Sequence, residues 1–270
     1  QHHRPSATGR SHPILAGFRG LSVAEDRGRG LLGYRVVRAE PAGRNGDVGD
    51  DFLYALLDRG PIHKVAQEAV ESLARAHGID ESGSAPELVR RLEQGARVAD
   101  VGCGAGSAVL LMAAAFPASS FTGYDISRHA LDRAATKLTE SGLRNVQFVD
   151  PRDVPLPVDG SLDLVCTFDC IHDMTHPFEM MQTIRRAVSD DGTWLLVDIK
   201  ALDTLEQNVA RNPMAPLLYG ISVLSCMSSA MSAPDGAGLG TLGLPESKAR
   251  EMALAAGFTR FRRLDIDHSV

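Results

Sequence analysis

The sequence is poor in aromatic residues, in cysteine and in long apolar runs. Phe, Trp and Tyr make up 5% of its 270 residues, with a single tryptophan, Trp194. Four cysteines, Cys103, Cys166, Cys170 and Cys226, are too few and too scattered for a disulfide-stapled domain. No Cys-x-x-Cys pair offers a structural zinc site. The longest apolar run, Ala108 to Ala118, contains Pro117 and falls far short of a bilayer span. No charged-then-apolar segment opens the chain, so a cytoplasmic location is expected. Positive charge is not in excess either. The 28 Lys and Arg against 34 Asp and Glu leave a net −6, which argues against a broad surface for nucleic acid or anionic lipid. An apolar fraction of 44% remains, enough for a packed core in one large domain or two modest ones.

Charge is unevenly placed. Residues 1–48 hold eight Arg, no Lys and four acids, a local +4 that leaves −10 for the rest. This stretch is rich in Gly, and its one strand-like segment is Leu31 to Val37. It reads as a solvated extension, with nucleic-acid binding as the alternative. Residues 49–96 form a helical lead-in. Ile62, Val65, Ala66, Ala69, Val70 and Leu73 share one helical face, and Ser84 with Glu87 forms a capping box around Pro86. Leu88, Val89 and Leu92 are the apolar side of that second helix.

From Arg97 the pattern changes to strand, turn and helix. Arg97 to Val101 is a short apolar strand, followed by Gly102-Cys-Gly104-Ala-Gly106 and a small-residue helix over Ser107 to Phe116. Glycines here allow a tight turn and close approach of a ligand to the backbone, and the helix N-terminus offers unpaired N–H groups to an anion. A second strand, Phe121 to Tyr124, ends in Asp125, an acid placed to accept both hydroxyls of a ribose. Ser127 caps the next helix, which Gly142 stops. A third strand, Val146 to Val149, ends in Asp150. A fourth, Leu164 to Phe168, runs into Asp169-Cys170-Ile171-His172-Asp173. His176-Pro177 opens another helix, and Asp190-Asp191-Gly192 turns into a fifth strand over Thr193 to Ile199. This rhythm predicts an α/β fold, a doubly wound, mostly parallel Rossmann-like sheet.

With Asp100 included, the run Asp-x-Gly-x-Gly-x-Gly resembles motif I of class I S-adenosylmethionine (SAM) dependent methyltransferases. Asp125, the Asp150-to-Pro157 stretch and Asp159-Gly-Ser-x-Asp163 are similar to that family's following motifs. The resemblance covers residues 97–200 well and 239–270 moderately. It implies SAM as cofactor, held by Asp100, Gly102, Gly104, Gly106, Asp125, Ile126 against the adenine, Asp150 (or Asp153) and Asp169. It also places Asp169, His172 and Asp173 beside the transferring methyl. There His172 could accept a proton, oriented by Asp173 or Asp169, or could make only a structural hydrogen bond. Asp198 is followed by Ile199 and Lys200, where metal-dependent catechol-type members carry Asp-Asn, so no metal is expected. The motifs of amino-methylating DNA enzymes and the Pro-Cys of cytosine-C5 enzymes are missing. A small-molecule methyltransferase acting at O, N or C is the expectation, with SAM-binding without turnover and an NAD(P)-dependent oxidoreductase as rivals. The oxidoreductase is disfavoured by Gly-x-Gly-x-Gly spacing and the lack of a Tyr-x-x-x-Lys pair.

The domain at 97–270 carries a long insertion at 201–245, where Met214, Leu217, Leu218, Tyr219, Ile221, Leu224, Met227 and Met231 precede a Gly-rich tail. A Met-rich insertion above the strand ends suits an adaptable, apolar acceptor pocket, or alternatively sheet cover or a homodimer contact. The Leu239-Gly-Thr-Leu-Gly run and the helix over Glu246 to Ala256 resemble a bacterial, ubiquinone-biosynthesis-type branch. Phe258 to Asp267 reads as a sixth strand. The family's seventh is expected to be lacking, or replaced by Leu31 to Val37.

Overall fold

The computed structural model describes residues 84–263, all within one compact unit. The basic extension, the strand-like Leu31 to Val37, the amphipathic face of Ile62 to Leu73 and residues 264–270 lie outside the described residues.

The described chain runs α1 (Ser84–Gln94), β1 (Arg97–Val101), α2 (Ser107–Ala115), β2 (Ser120–Tyr124), α3 (Arg128–Ser141), β3 (Val146–Val149) and β4 (Leu162–Phe168). It continues through a 3₁₀ turn (Ile171–Asp173), α4 (Pro177–Ala187), β5 (Val188–Val197), α5 (Leu205–Arg211), α6 (Ala215–Leu224), α7 (Cys226–Ala230) and α8 (Glu246–Ala255). The five strands form one sheet in the order β3-β2-β1-β4-β5, every pair parallel. Strand order reverses between β1 and β4, where open α/β sheets form a ligand crevice beyond the carboxyl ends.

Alternation along the strands builds a core on each face. Val98, Leu164 and Cys166 pack with α1 and α2 through Leu88, Val89, Leu92, Val109, Met112 and Phe116. Ala99, Val101 and Val165 pack on the other face with Met181 and Ile184 of α4 and Ala249 of α8. Both faces are covered, as near-continuous apolar strands require. Local chemistry sets the boundaries of α3: the Ser127 hydroxyl accepts from the Ala130 amide at 3.3 Å, and Gly142 closes the helix at φ 68°.

Two expectations need correction. The fifth strand begins at Val188, directly after α4, so Asp190-Asp191-Gly192 is not a turn between elements. Val188 is already paired with Leu162, and the extra residues form a bulge before Thr193 pairs with Leu164. The sixth strand does not form over its described part, since residues 258–263 are irregular. Phe258 stacks on Trp194 instead, with ring centroids 5.2 Å apart, and Arg250 lies over the Phe261 ring. These aromatics join the α4–α8 core.

Candidate functional site

Every strand brings an aspartate to the carboxyl edge of the sheet. Asp100 is the penultimate residue of β1, while Asp125, Asp150, Asp169 and Asp198 directly follow β2, β3, β4 and β5. Parallel pairing, regular beyond the β5 bulge, puts all five along one edge.

The glycine loop lies at the reversal point. Gly102, Gly104 and Gly106 all have left-handed φ (74°, 54° and 76°), a region that other residues rarely adopt. A Cβ at Gly106 would stand 2.4 Å from the Phe148 ring, so helix and strand are in contact there. A Cβ at Gly104 would meet nothing within 4 Å. The loop's backbone is therefore open on that side, and α2 starts without a side-chain cap on its first amides. Those amides and the helix dipole make an anion-accepting end.

Asp125 ties this loop to β2. Its Oδ2 accepts from the Gly104 amide at 2.9 Å and its Oδ1 from the Ser127 amide at 2.8 Å. Ile126, next in the chain, is 55% exposed. Asp150 is engaged by Arg152, which donates from Nε to Oδ1 at 2.8 Å and from its own amide to Oδ1 at 2.9 Å. The same guanidinium reaches the Ile126 carbonyl at 2.7 Å and so joins the loops after β2 and β3. Hydrogen bonds from Arg152 hold the Asp150 carboxyl down at about 2. The Asp153 charge also favours the Arg152 guanidinium. The Asp153 amide closes the turn onto the Asp150 carbonyl at 3.0 Å.

Asp100 behaves differently. Its side chain is buried, and Oδ1 has no hydrogen-bond partner. Burial first, and then the nearby Asp125 charge, push its carboxyl well above the ordinary range.

The second cluster lies beyond β4. Asp169 adopts φ 60°, the one non-glycine residue at positive φ among the described residues, and its amide donates to the Val197 carbonyl at 2.9 Å. The next turn buries His172 to 2% exposure. Its Nδ1 lies 2.8 Å from Asp198 Oδ1 and 3.7 Å from Asp169 Oδ1, while Nε2 lies 3.1 Å from Asp173 Oδ1. Burial opposes a charge on the ring. The Asp198 charge, the Asp198 hydrogen bond and the nearby Asp173 and Cys226 side chains outweigh it and push His172 above its usual range. Two triads, Asp169–His172–Asp198 and His172–Asp173–Cys226, each have donor atoms within 4.8 Å of one another, a spacing that could hold a metal ion.

The family described as a methyltransferase domain matches residues 92–232, more than half of the chain. The chain belongs to this methyltransferase family. It is a class I methyltransferase with S-adenosylmethionine as cofactor. A malonyl-[acyl-carrier protein] O-methyltransferase of Geobacter sulfurreducens is 28% identical over 131 residues, 48% of this chain and 43% of that protein. A demethylmenaquinone methyltransferase of Listeria monocytogenes is 26% identical over 121 residues, 44% of this chain and 49% of that protein. The chain spans less than half the length of either relative. Its fold is similar to that of an O-methyltransferase family protein from Burkholderia thailandensis, with a TM-score of 0.54 at 16% identity over 80% of this chain and 57% of that one.

In this methyltransferase the structure brings Asp100, Gly102, Gly104, Gly106, Asp125 and Ile126 to one loop system, with Asp150 joined to it through Arg152. Asp169, His172 and Asp173 form the adjoining cluster. The carboxylate closest to Nδ1 is Asp198, where Asp173 or Asp169 was expected. Sequence reasoning weighed Asp198 only as a metal ligand, yet its place at a strand end, like the other four acids, was the available signal. Arg152 and Cys226 were missed altogether.

The insertion also differs from expectation. Leu218 is buried with Ile199, Ala215 and Leu242, which seats the insertion on the end of β5, but Leu217, Leu224 and Met231 are exposed. The residues expected to line an apolar pocket are thus split between a seating core and the outer surface. No helix among the described residues is long and apolar enough to cross a membrane.

Proposed function

We propose that this methyltransferase moves the SAM methyl to an O, N or C atom of a small, rather apolar acceptor at the β4 and β5 edge. The open Gly104 backbone, hydrogen-bonded through its amide to Asp125, carries the reading. This cradle accepts a ligand where any side chain would intrude, and it suits a nucleoside with an anionic tail. Each oxygen of Asp125 takes one amide, and a carboxylate at this place suits the hydroxyls of a ribose. Exposed Ile126 offers an apolar face to the adenine, and Asp150, fixed by Arg152, offers an acceptor to its amino group. Asp100 is the buried carboxyl beneath the loop.

SAM supplies an already activated methyl, so the protein's work is alignment and, for an O–H, N–H or C–H acceptor, removal of a proton. The Asp198 carboxylate at Nδ1 favours the charged form of the buried His172 ring, which weakens it as a base. Asp173 is the more exposed partner, at 17% of its side chain, and it can meet an acceptor without rearrangement of the buried ring. In this reading Asp173 takes the proton, and the His172 ring, held by Asp198, stabilises and orients that carboxylate. A cytoplasmic setting and a homodimer are compatible with this reading and are not needed by it.

The test is release of S-adenosylhomocysteine by the purified chain with phenols, quinols, amines and thioester-activated acids. Acceptor-dependent release that falls about 10²-fold or more in Asp173→Asn supports the proposal. SAM binding with no turnover on any class favours a non-catalytic SAM-binding role.

A further inference from the structure

One side chain ties the loops after β2 and β3 together. Arg152 grips Asp150 as a fork: Nε donates to Oδ1 at 2.8 Å and to Oδ2 at 3.1 Å, and Nη2 donates to Oδ2. The same Nη2 reaches across to the Ile126 carbonyl at 2.7 Å. The local backbone supports the grip. The Arg152 amide donates to Asp150 Oδ1 at 2.9 Å, and the Asp153 and Val154 amides close onto the Asp150 carbonyl at 3.0 and 2.9 Å. Pro151, between the two partners, has its φ fixed by its ring.

Fold stability does not account for this arrangement. The Asp150 side chain is 7% exposed, but that of Arg152 is 61% exposed. An ion pair with one arm in solvent adds little to stability, and ordering a long arginine costs rotamer entropy. What the fork brings is geometry. A planar guanidinium with fixed donors sets the plane and place of the carboxylate it grips. Through Nη2 it also sets where the Ile126 backbone lies relative to that carboxylate.

We propose that Arg152 is the positioning residue of the adenine subsite, setting Ile126 against the face of the base and Asp150 at its amino edge with one guanidinium. The inference rests on the reading of Ile126 and Asp150 as the adenine contacts. It adds that selectivity for adenine depends on a side chain that acts through both of them. An adenine amino group donates to the carboxylate. A hypoxanthine carbonyl at the same place meets it as a second acceptor, so a fixed Asp150 rejects that base and a loosened one turns away from it.

The experiment measures binding of S-adenosylhomocysteine and S-inosylhomocysteine to the full chain by calorimetry and takes the ratio of the two affinities. A merely structural role lowers both affinities together and leaves the ratio alone. Arg152→Met is expected to weaken S-adenosylhomocysteine about tenfold and S-inosylhomocysteine much less, narrowing the ratio by a similar factor. Arg152→Lys keeps the charge without the fork and recovers the ratio only in part. Arg128→Met removes a second charge that favours the Asp150 carboxylate, leaves the fork in place and keeps the parent ratio. An unmoved ratio in both Arg152 variants, beside a narrowed one in Asp150→Ala, overturns the inference alone and leaves Arg152 a surface ion pair. An unmoved ratio in Asp150→Ala rejects the adenine reading, and the inference falls with it. Equal narrowing in Arg128→Met overturns the inference too, because charge and not the fork then sets selectivity. Should Arg152→Met fail to fold, Arg152→Lys decides.

Discussion

Five aspartates at one sheet edge meet three different fates, and those fates set their chemistry. Asp100 is buried with an unsatisfied oxygen, so the protein favours its neutral form. A carboxyl whose folded pKa is raised binds protons more tightly in the native state, so its cost to stability grows as pH rises above its ordinary value near 4. Asp100→Asn, which cannot ionise, is therefore expected to melt higher than the parent at pH 7, with the gap closing toward pH 4. Thermal denaturation at the two pH values checks this, and a gap independent of pH contradicts it. Asp150 is the opposite case. Its carboxyl, held at about 2 by Arg152, contributes stability above pH 4 that is lost as pH falls toward 2. Carboxyl NMR should find that midpoint, and Arg152→Met should return it to about 3.9. Asp125 serves the cofactor directly under the proposed reading. Its replacement by Ala is expected to weaken SAM binding at least tenfold, roughly 1.4 kcal/mol, by calorimetry; unchanged affinity would remove it from the ribose site.

At the scale of elements, the β1–loop–α2 unit was the most legible part of the chain. Short apolar strands, glycine at each tight position and Ser127 and Gly142 at the ends of α3 are local signals, and each met its expected element. Gly106→Ala tests how tightly the unit is built. A methyl directed into Phe148 at a left-handed φ should cost about 1–3 kcal/mol and lower the chemical-denaturation midpoint. What stayed hidden depends on distant partners. The bulge in β5 lies between the Val188–Leu162 and Thr193–Leu164 pairs, and Phe258 packs on Trp194, pairings that only the fold brings together. Asp198 could be recognised as the His172 partner only once β4 and β5 were known to be neighbours. Cys226, 54 residues beyond His172, carried no local signal at all.

For the whole molecule, a mildly acidic average concealed a functional division. Acids at strand ends gather around the glycine loop on one side and the buried His172 ring on the other, and the 201–245 insertion is seated beside the second cluster. The family places methyltransferase chemistry on this chain. Exposed Leu217, Leu224 and Met231 show that the insertion's apolar content does not all turn inward. The most direct measurement is titration calorimetry of the unaltered chain with SAM, S-adenosylhomocysteine and NADH. The account expects one site for SAM and its demethylated product, and no site for NADH. Binding of NADH without binding of SAM would contradict it.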